Sequence, residues 1–159
     1  MKPHAAGNWP LFLWNVPMPD VFTKAKRSEV MSRIRGRGNK NTELALVKLF
    51  RKHGITGWRR HLKVFGRPDF AFREKRLAVF VDGCFWHGCP RHCKIPVGNR
   101  AFWEKKLSAN WERDRRVNRV LGKDGWRVVR IWEHNLAKRG ESCVKKIQAA
   151  LSQIIPPAR

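Results

Sequence analysis

A chain of 159 residues with 35 Lys and Arg against 12 Asp and Glu carries a formal net charge of +23. That length suits one domain with its own core, and the 42% apolar fraction is enough to fill it. No apolar run approaches the ~20 residues of a membrane span, and four cysteines, three of them beside histidines, do not make a secreted disulfide scaffold.

The opening "MKPHAAGNWPLFLWNVPMPD" has one Lys and a short apolar patch cut by Pro10 and Pro17. It lacks a cleavage site and is a poor signal peptide. Residues 1–19 read as an irregular arm, with Met18 as eligible a natural start as Met1, and residues 20–159 read as a single domain. In "TKAKRSEVMSRIRGRGNK", Val30, Met31 and Ile34 keep helical spacing before a basic, Gly-punctuated link. "NTELALVKLFRKHG" is a stronger helix, with Asn41 or Thr42 as N-cap, Leu46, Leu49 and Phe50 as its stripe, and Gly54 at the C′ position. "WRRHLKV" is a weak basic strand. "GRPDFAF" and "RLAVFVD" are two apolar strands joined by a turn at residues 73–76. "NRAFWEKKLSANWERDRRVNRVLGKDG" is a long helix carrying Trp103, Leu107, Trp111, Val117 and Leu121, with a polar break at Asp114. "WRVVRIWE" reads as a buried strand because apolar residues occupy both alternations. "ESCVKKIQAALSQII" closes the chain as a helix with Val144, Ile147, Leu151 and Ile154 on one face and Cys143 in the core.

The expected class is α/β, a mixed sheet flanked by helices. Its αβββαβ order resembles the restriction-endonuclease-like core. The basic excess runs from Lys24 to Lys146 instead of filling one tail. A polyanion is therefore the expected partner, nucleic acid first.

Two carboxylates fall at one end of the hairpin. Folding it about residues 73–76 pairs positions whose numbers sum to about 149–151, which sets Asp69 opposite residues 80–82 and brings it to Asp82. Such a pair suits a hard cation, Mg²⁺, at a phosphodiester. Glu43, at a helix start, is a further acid if that helix packs across the same edge. Next comes "CFWHGCPRHC". Cys84, Cys89 and Cys93 offer three soft ligands for a structural Zn²⁺, with His134 as the fourth and His92 as the local alternative. His87 then remains beside Asp82, where an imidazole can take a proton from water or orient it.

In order along the chain, "RSEVMSRIRGRGNKNTE", "GRPDF", "VFVDGCFWHGC", "NRAFWEKKLSANWERDRR" and "GWRVVRIWE" resemble the very-short-patch repair (Vsr) DNA mismatch endonuclease family over about residues 20–135. The resemblance implies a Mg²⁺-dependent, strand-specific nickase. It would act on double-stranded DNA at T·G mismatches left by 5-methylcytosine deamination, cutting 5′ to the mispaired T. It implies that Asp69 is the central metal-binding aspartate, that Val81 offers its backbone carbonyl to the metal, that His87 is catalytic and that Glu43 is the acid at the helix start. Cys84, Cys89, Cys93 and His134 would take the zinc. Phe85, Trp86 and Trp103 would be wedge residues entering beside the mismatch, the competing reading being ordinary core packing. The chain departs from the family pattern where Val81-Asp82 replaces a Thr-His pair, so Asp82 is expected to bind metal directly, and where zinc ligands exchange Cys and His. A monomer in the bacterial cytoplasm, associated with the nucleoid and working beside mismatch-repair or methyltransferase proteins, is the corresponding expectation. Two other functions fit the residues: a restriction- or mobile-element-associated nuclease indifferent to mismatches, and a non-catalytic zinc-containing nucleic-acid-binding protein.

Overall fold

Two hydrophobic periods, two in the strands and near 3.6 in the helices, build a four-stranded sheet between helices. The computed structural model describes Thr23 and residues 42–153. The expected irregular arm, the first basic helix and Ile154 lie outside the described residues. The elements are α1 (Glu43–Lys52), β1 (Trp58–Arg60), β2 (Phe70–Phe72), β3 (Leu77–Asp82), α2 (Arg100–Lys123), β4 (Arg127–Trp132), α3 (Glu133–Lys138) and α4 (Gly140–Ser152).

The sheet order is β1-β2-β3-β4. β1 and β2 are antiparallel, as are β2 and β3, with Phe70 opposite Val79. That pairing has the number sum that the hairpin reading requires. β4 returns parallel to β3, from Leu77 opposite Arg127 to Asp82 opposite Trp132. The connection between them is α2, as a parallel crossover demands.

Alternation along the strands fills two layers. Phe70, Phe72, Leu77, Val79, Val129 and Ile131 point to the side covered by α1 and α4, where they meet Leu46, Phe50, Val144 and Ile147. Phe50 is fully buried and lies edge-on to Phe70 and Phe72, with ring centroids at 5.2 and 5.8 Å. Ala78 and Phe80 point the other way, onto Val117 and Leu121 of α2. β3 is therefore apolar on both faces because both are covered. Gly66, at φ +77°, lets the loop before β2 lie against α2, since a Cβ there would sit 2.4 Å from a Val117 methyl.

Two expectations change. β4 is not wholly buried: Val129 and Ile131 are, but Arg130 stands in mid-strand on the α2 side, its guanidinium 4.8 Å from the Phe80 ring. α3 is an additional short helix between β4 and α4. The long helix read from the sequence is α2, which runs unbroken for 24 residues through Asp114. Thr42 is the N-cap residue of α1 but makes no side-chain cap hydrogen bond.

Candidate active site and metal centre

The hairpin delivers Asp69 to the C-terminal end of β3. Buried Pro68 leads into β2, and the Asp69 carboxylate accepts a hydrogen bond from the Val81 backbone N–H at 2.7 Å. Burial pushes the Asp69 carboxyl above the ordinary carboxylate range. The Val81 hydrogen bond and His61 oppose the shift, while the charges of Glu43 and Asp82 add to it. Three carboxylates thus converge from α1, the start of β2 and the end of β3. Glu43 is only 3% exposed and is held by the Arg60 guanidinium and by His61 Nε2, the latter at 3.1 Å.

Asp82 was expected to share a metal with Asp69. Instead, both its oxygens accept from Arg130 Nη1, at 2.8 and 2.9 Å. Burial raises the Asp82 carboxyl, and the charges of Arg130 and His87 only partly offset that. Arg130 Nη2 also donates to Asp114 Oδ1 at 3.1 Å, and Asp114 Oδ2 lies 2.5 Å from His87 Nδ1. His87 Nδ1 comes within 3.7 Å of Asp82 Oδ1, which closes a ring of four side chains. Burial alone would raise the Asp114 carboxyl, but the hydrogen bonds and charges of His87 and Arg130 hold it below the usual range. An ionised Asp114 can only accept, so Nδ1 of His87 carries the proton and Nε2 is the basic atom.

Asp114 and Arg130 are the residues that sequence reasoning missed. A signal existed for both. Trp103, Leu107, Asn110, Val117 and Leu121 are buried on α2 at alternating steps of four and three, apart from one gap, and Asp114 fills that gap. Asn110 likewise turns inward and donates to the Trp86 carbonyl at 2.9 Å. A polar side chain on a buried stripe needs a partner, and an arginine in the middle of an apolar strand is its natural complement.

The Cys/His loop gathers Cys84, Cys89, His92 and His134, with one ligand atom from each lying within 4.8 Å of all the others. Cys84 Sγ is 3.1 Å from His134 Nδ1 and 4.0 Å from His92 Nδ1; Cys89 Sγ is 3.5 Å from His92 Nδ1 and 3.6 Å from His134 Nδ1. Donors on a tetrahedral Zn²⁺ with Zn–S ≈ 2.3 Å and Zn–N ≈ 2.0–2.1 Å are roughly 3.3–3.8 Å apart, so these four residues fit the ion. Burial, with Cys89 and Glu133 adding negative charge, pushes the Cys84 thiol up to about 12, and a divalent cation is what such a buried thiol needs to ionise.

Cys93, expected as a ligand, stands outside this group, and both candidate histidines, His92 and His134, stand within it. The turn after Pro90 explains this. The backbone N–H groups of His92 and Cys93 both point to the Cys89 carbonyl, at 3.3 and 2.9 Å, which swings the His92 ring toward the sulfurs. Cys93 faces inward, with its thiol raised to about 11 by burial and its S–H directed at the Phe85 carbonyl at 3.5 Å. His134 arrives on the first turn of α3, and the neighbouring Glu133 accepts from the Cys84 N–H at 2.7 Å. α3, unseen in the sequence, is thus the element that closes the centre.

The three aromatics expected as a wedge lie together. Phe85 is edge-on to Trp86 at 5.2 Å and to Trp103 at 5.3 Å. Trp103 is 7% exposed, whereas Phe85 and Trp86 are half-buried over Cys93, Ile95 and Leu107. They form a small core of their own, apart from the two layers of the sheet, at the junction of the Cys/His loop and α2.

A family model described as DNA mismatch endonuclease Vsr matches residues 19–94. The type II nicking enzyme V.NaeI of Lentzea aerocolonigenes is 40% identical over 139 residues, covering 84% of this chain and 76% of its own. The type II nicking enzyme V.NmeDIP of Neisseria meningitidis serogroup C is 37% identical, with 83% and 90% covered. The DNA mismatch endonuclease Vsr of Escherichia coli (strain K12) is 39% identical over 125 residues, covering 77% of this chain and 78% of its own. With the mixed sheet, its flanking helices and the carboxylates at one strand end, these likenesses define a DNA endonuclease with a restriction-endonuclease-like core. The chain belongs to the Vsr DNA mismatch endonuclease family.

Proposed function

We propose that this protein nicks one strand of duplex DNA at T·G mismatches, 5′ to the mispaired T, with a Mg²⁺ ion held by Asp69. One observation carries the reading: Asp69, a carboxylate raised by burial and by the charges of Glu43 and Asp82, neighbours Asp82, which faces a histidine whose Nδ1 proton is committed to Asp114. A hard cation relieves the cost of keeping Asp69 charged in that setting. Val81, whose N–H orients Asp69, offers its carbonyl as a further oxygen ligand, and Glu43 supplies negative charge behind Asp69. When bound, the cation supplies Lewis-acid polarisation of the phosphate and favours ionisation of water. His87 Nε2 is then the atom that takes a proton from water or positions it.

Zn²⁺, held by Cys84, Cys89, His92 and His134, serves structure in this reading. It stiffens a loop so that Phe85 and Trp86, braced by Trp103, can enter beside a base pair that costs less to unstack than a matched one. The names of V.NaeI and V.NmeDIP favour a second reading, a nicking enzyme that accompanies a type II restriction system. A labelled T·G duplex and its T·A control, each with and without Mg²⁺, test both. Magnesium-dependent nicking of T·G alone supports the mismatch reading. Equal nicking of T·A contradicts it, and no nicking of either refutes both.

A further inference from the structure

The ring Asp82–Arg130–Asp114–His87 poses a question of allocation. Asp82, which neighbours Asp69, and Asp114, on the far side of Arg130, could each compete for a cation or for His87, yet their contacts are unequal. Asp82 spends both oxygens on Arg130 Nη1, whereas Asp114 gives one oxygen to Arg130 Nη2 and the other to His87. The guanidinium also lies over the Phe80 ring and its Nε donates to Asn118 Oδ1 at 3.2 Å, while the Arg130 backbone carbonyl accepts from Lys146 Nζ at 3.0 Å. A planar fork can span two carboxylates in this way; a lysine ammonium, a point charge on a flexible stem, cannot hold both in register.

We propose that Arg130 is a positioning residue that withholds Asp82 from the cation and reserves Asp114 for His87. Asp69 is thereby left as the carboxylate of the ring's neighbourhood that is open to the cation. The inference rests on the nicking reading above but is tested by a binding measurement that does not need it.

The full chain is titrated with Mg²⁺ calorimetrically in the absence of DNA, as wild type, Asp82→Asn, Arg130→Met and the Arg130→Met/Asp82→Asn double variant. Magnesium affinity of Asp82→Asn should match wild type within about threefold, because that carboxylate is already spent on Arg130. Arg130→Met should change the affinity, and adding Asp82→Asn should return it toward wild type. A loss of affinity in Asp82→Asn alone would show that Asp82 is a ligand despite Arg130 and would overturn the proposal. Arg130→Lys supplies the kinetic arm. Its melting temperature should stay near wild type, its KM for T·G duplex should change little, and its kcat should fall about 10- to 100-fold through misplacement of His87. A purely structural charge would be satisfied by Lys, so wild-type kcat in Arg130→Lys also overturns the assignment. If the wild-type protein fails to nick T·G, the function reading falls, while the magnesium titration of Asp82→Asn still decides the role of Arg130.

Discussion

Asp69 carries a cost in the metal-free protein. Burial raises its carboxyl, and so do Glu43 and Asp82, so folding is opposed wherever the folded state must hold the charge. The penalty is full above the raised folded pKa and vanishes as pH falls to the ordinary carboxylate range of the unfolded chain. Asp69→Asn keeps the acceptor for the Val81 N–H while removing the charge. In magnesium-free buffer it should melt higher than wild type near pH 8, and the gap should close toward pH 4; a lower melting temperature at pH 8 would contradict the account. Trp86 makes the opposite demand. It is half-buried between Phe85 and Trp103, so Trp86→Ala should cost some stability as well as stacking on DNA. Losing one stacked aromatic costs roughly 1–3 kcal/mol in binding, and the nicking ratio of T·G to T·A should fall with it. An unchanged ratio beside a large melting drop would make Trp86 core alone.

Among the elements, the hairpin was the most legible. A turn at residues 73–76 sets Asp69 beside the end of β3, and the pairing of Phe70 with Val79 follows from it. α1, α2 and α4 were legible from their apolar stripes. α3 was not, because six residues directly after a strand leave no periodicity to read. The different grouping at the metal centre has a related cause. Spacing cannot choose between His92 and Cys93, which are adjacent; the turn that hangs both N–H groups on the Cys89 carbonyl makes the choice. The expected consequence is specific. Metal analysis after dialysis against a mild chelator should find one zinc per chain in wild type and in Cys93→Ser. His92→Ala and Cys89→Ser should lose it and melt at lower temperature, because the loop loses its staple. Zinc retained in His92→Ala but lost in Cys93→Ser would restore the ligand set that spacing suggested. Arg130 and Asp114 escaped for the opposite reason: each interrupts an apolar pattern, and an interruption reads as noise until its partner is known.

For the whole molecule, a net charge of +23 sets the scale of DNA affinity, while the named site residues set the chemistry. If six to ten phosphates are contacted, affinity should fall by roughly 10³ to 10⁵ between 50 and 200 mM salt, and fluorescence-anisotropy titrations of a T·G duplex should show a linear log–log slope. A flat response would assign the charge to something other than DNA. This separation of affinity from chemistry makes one comparison decisive. Wild type and Asp69→Asn are titrated onto the same labelled T·G duplex in Mg²⁺, with binding and nicking measured in each sample. The predicted result is similar binding by both proteins and nicking by wild type alone, on the strand with the mispaired T. Nicking by Asp69→Asn at the wild-type rate in saturating Mg²⁺ would remove the buried carboxylate from the centre of the mechanism.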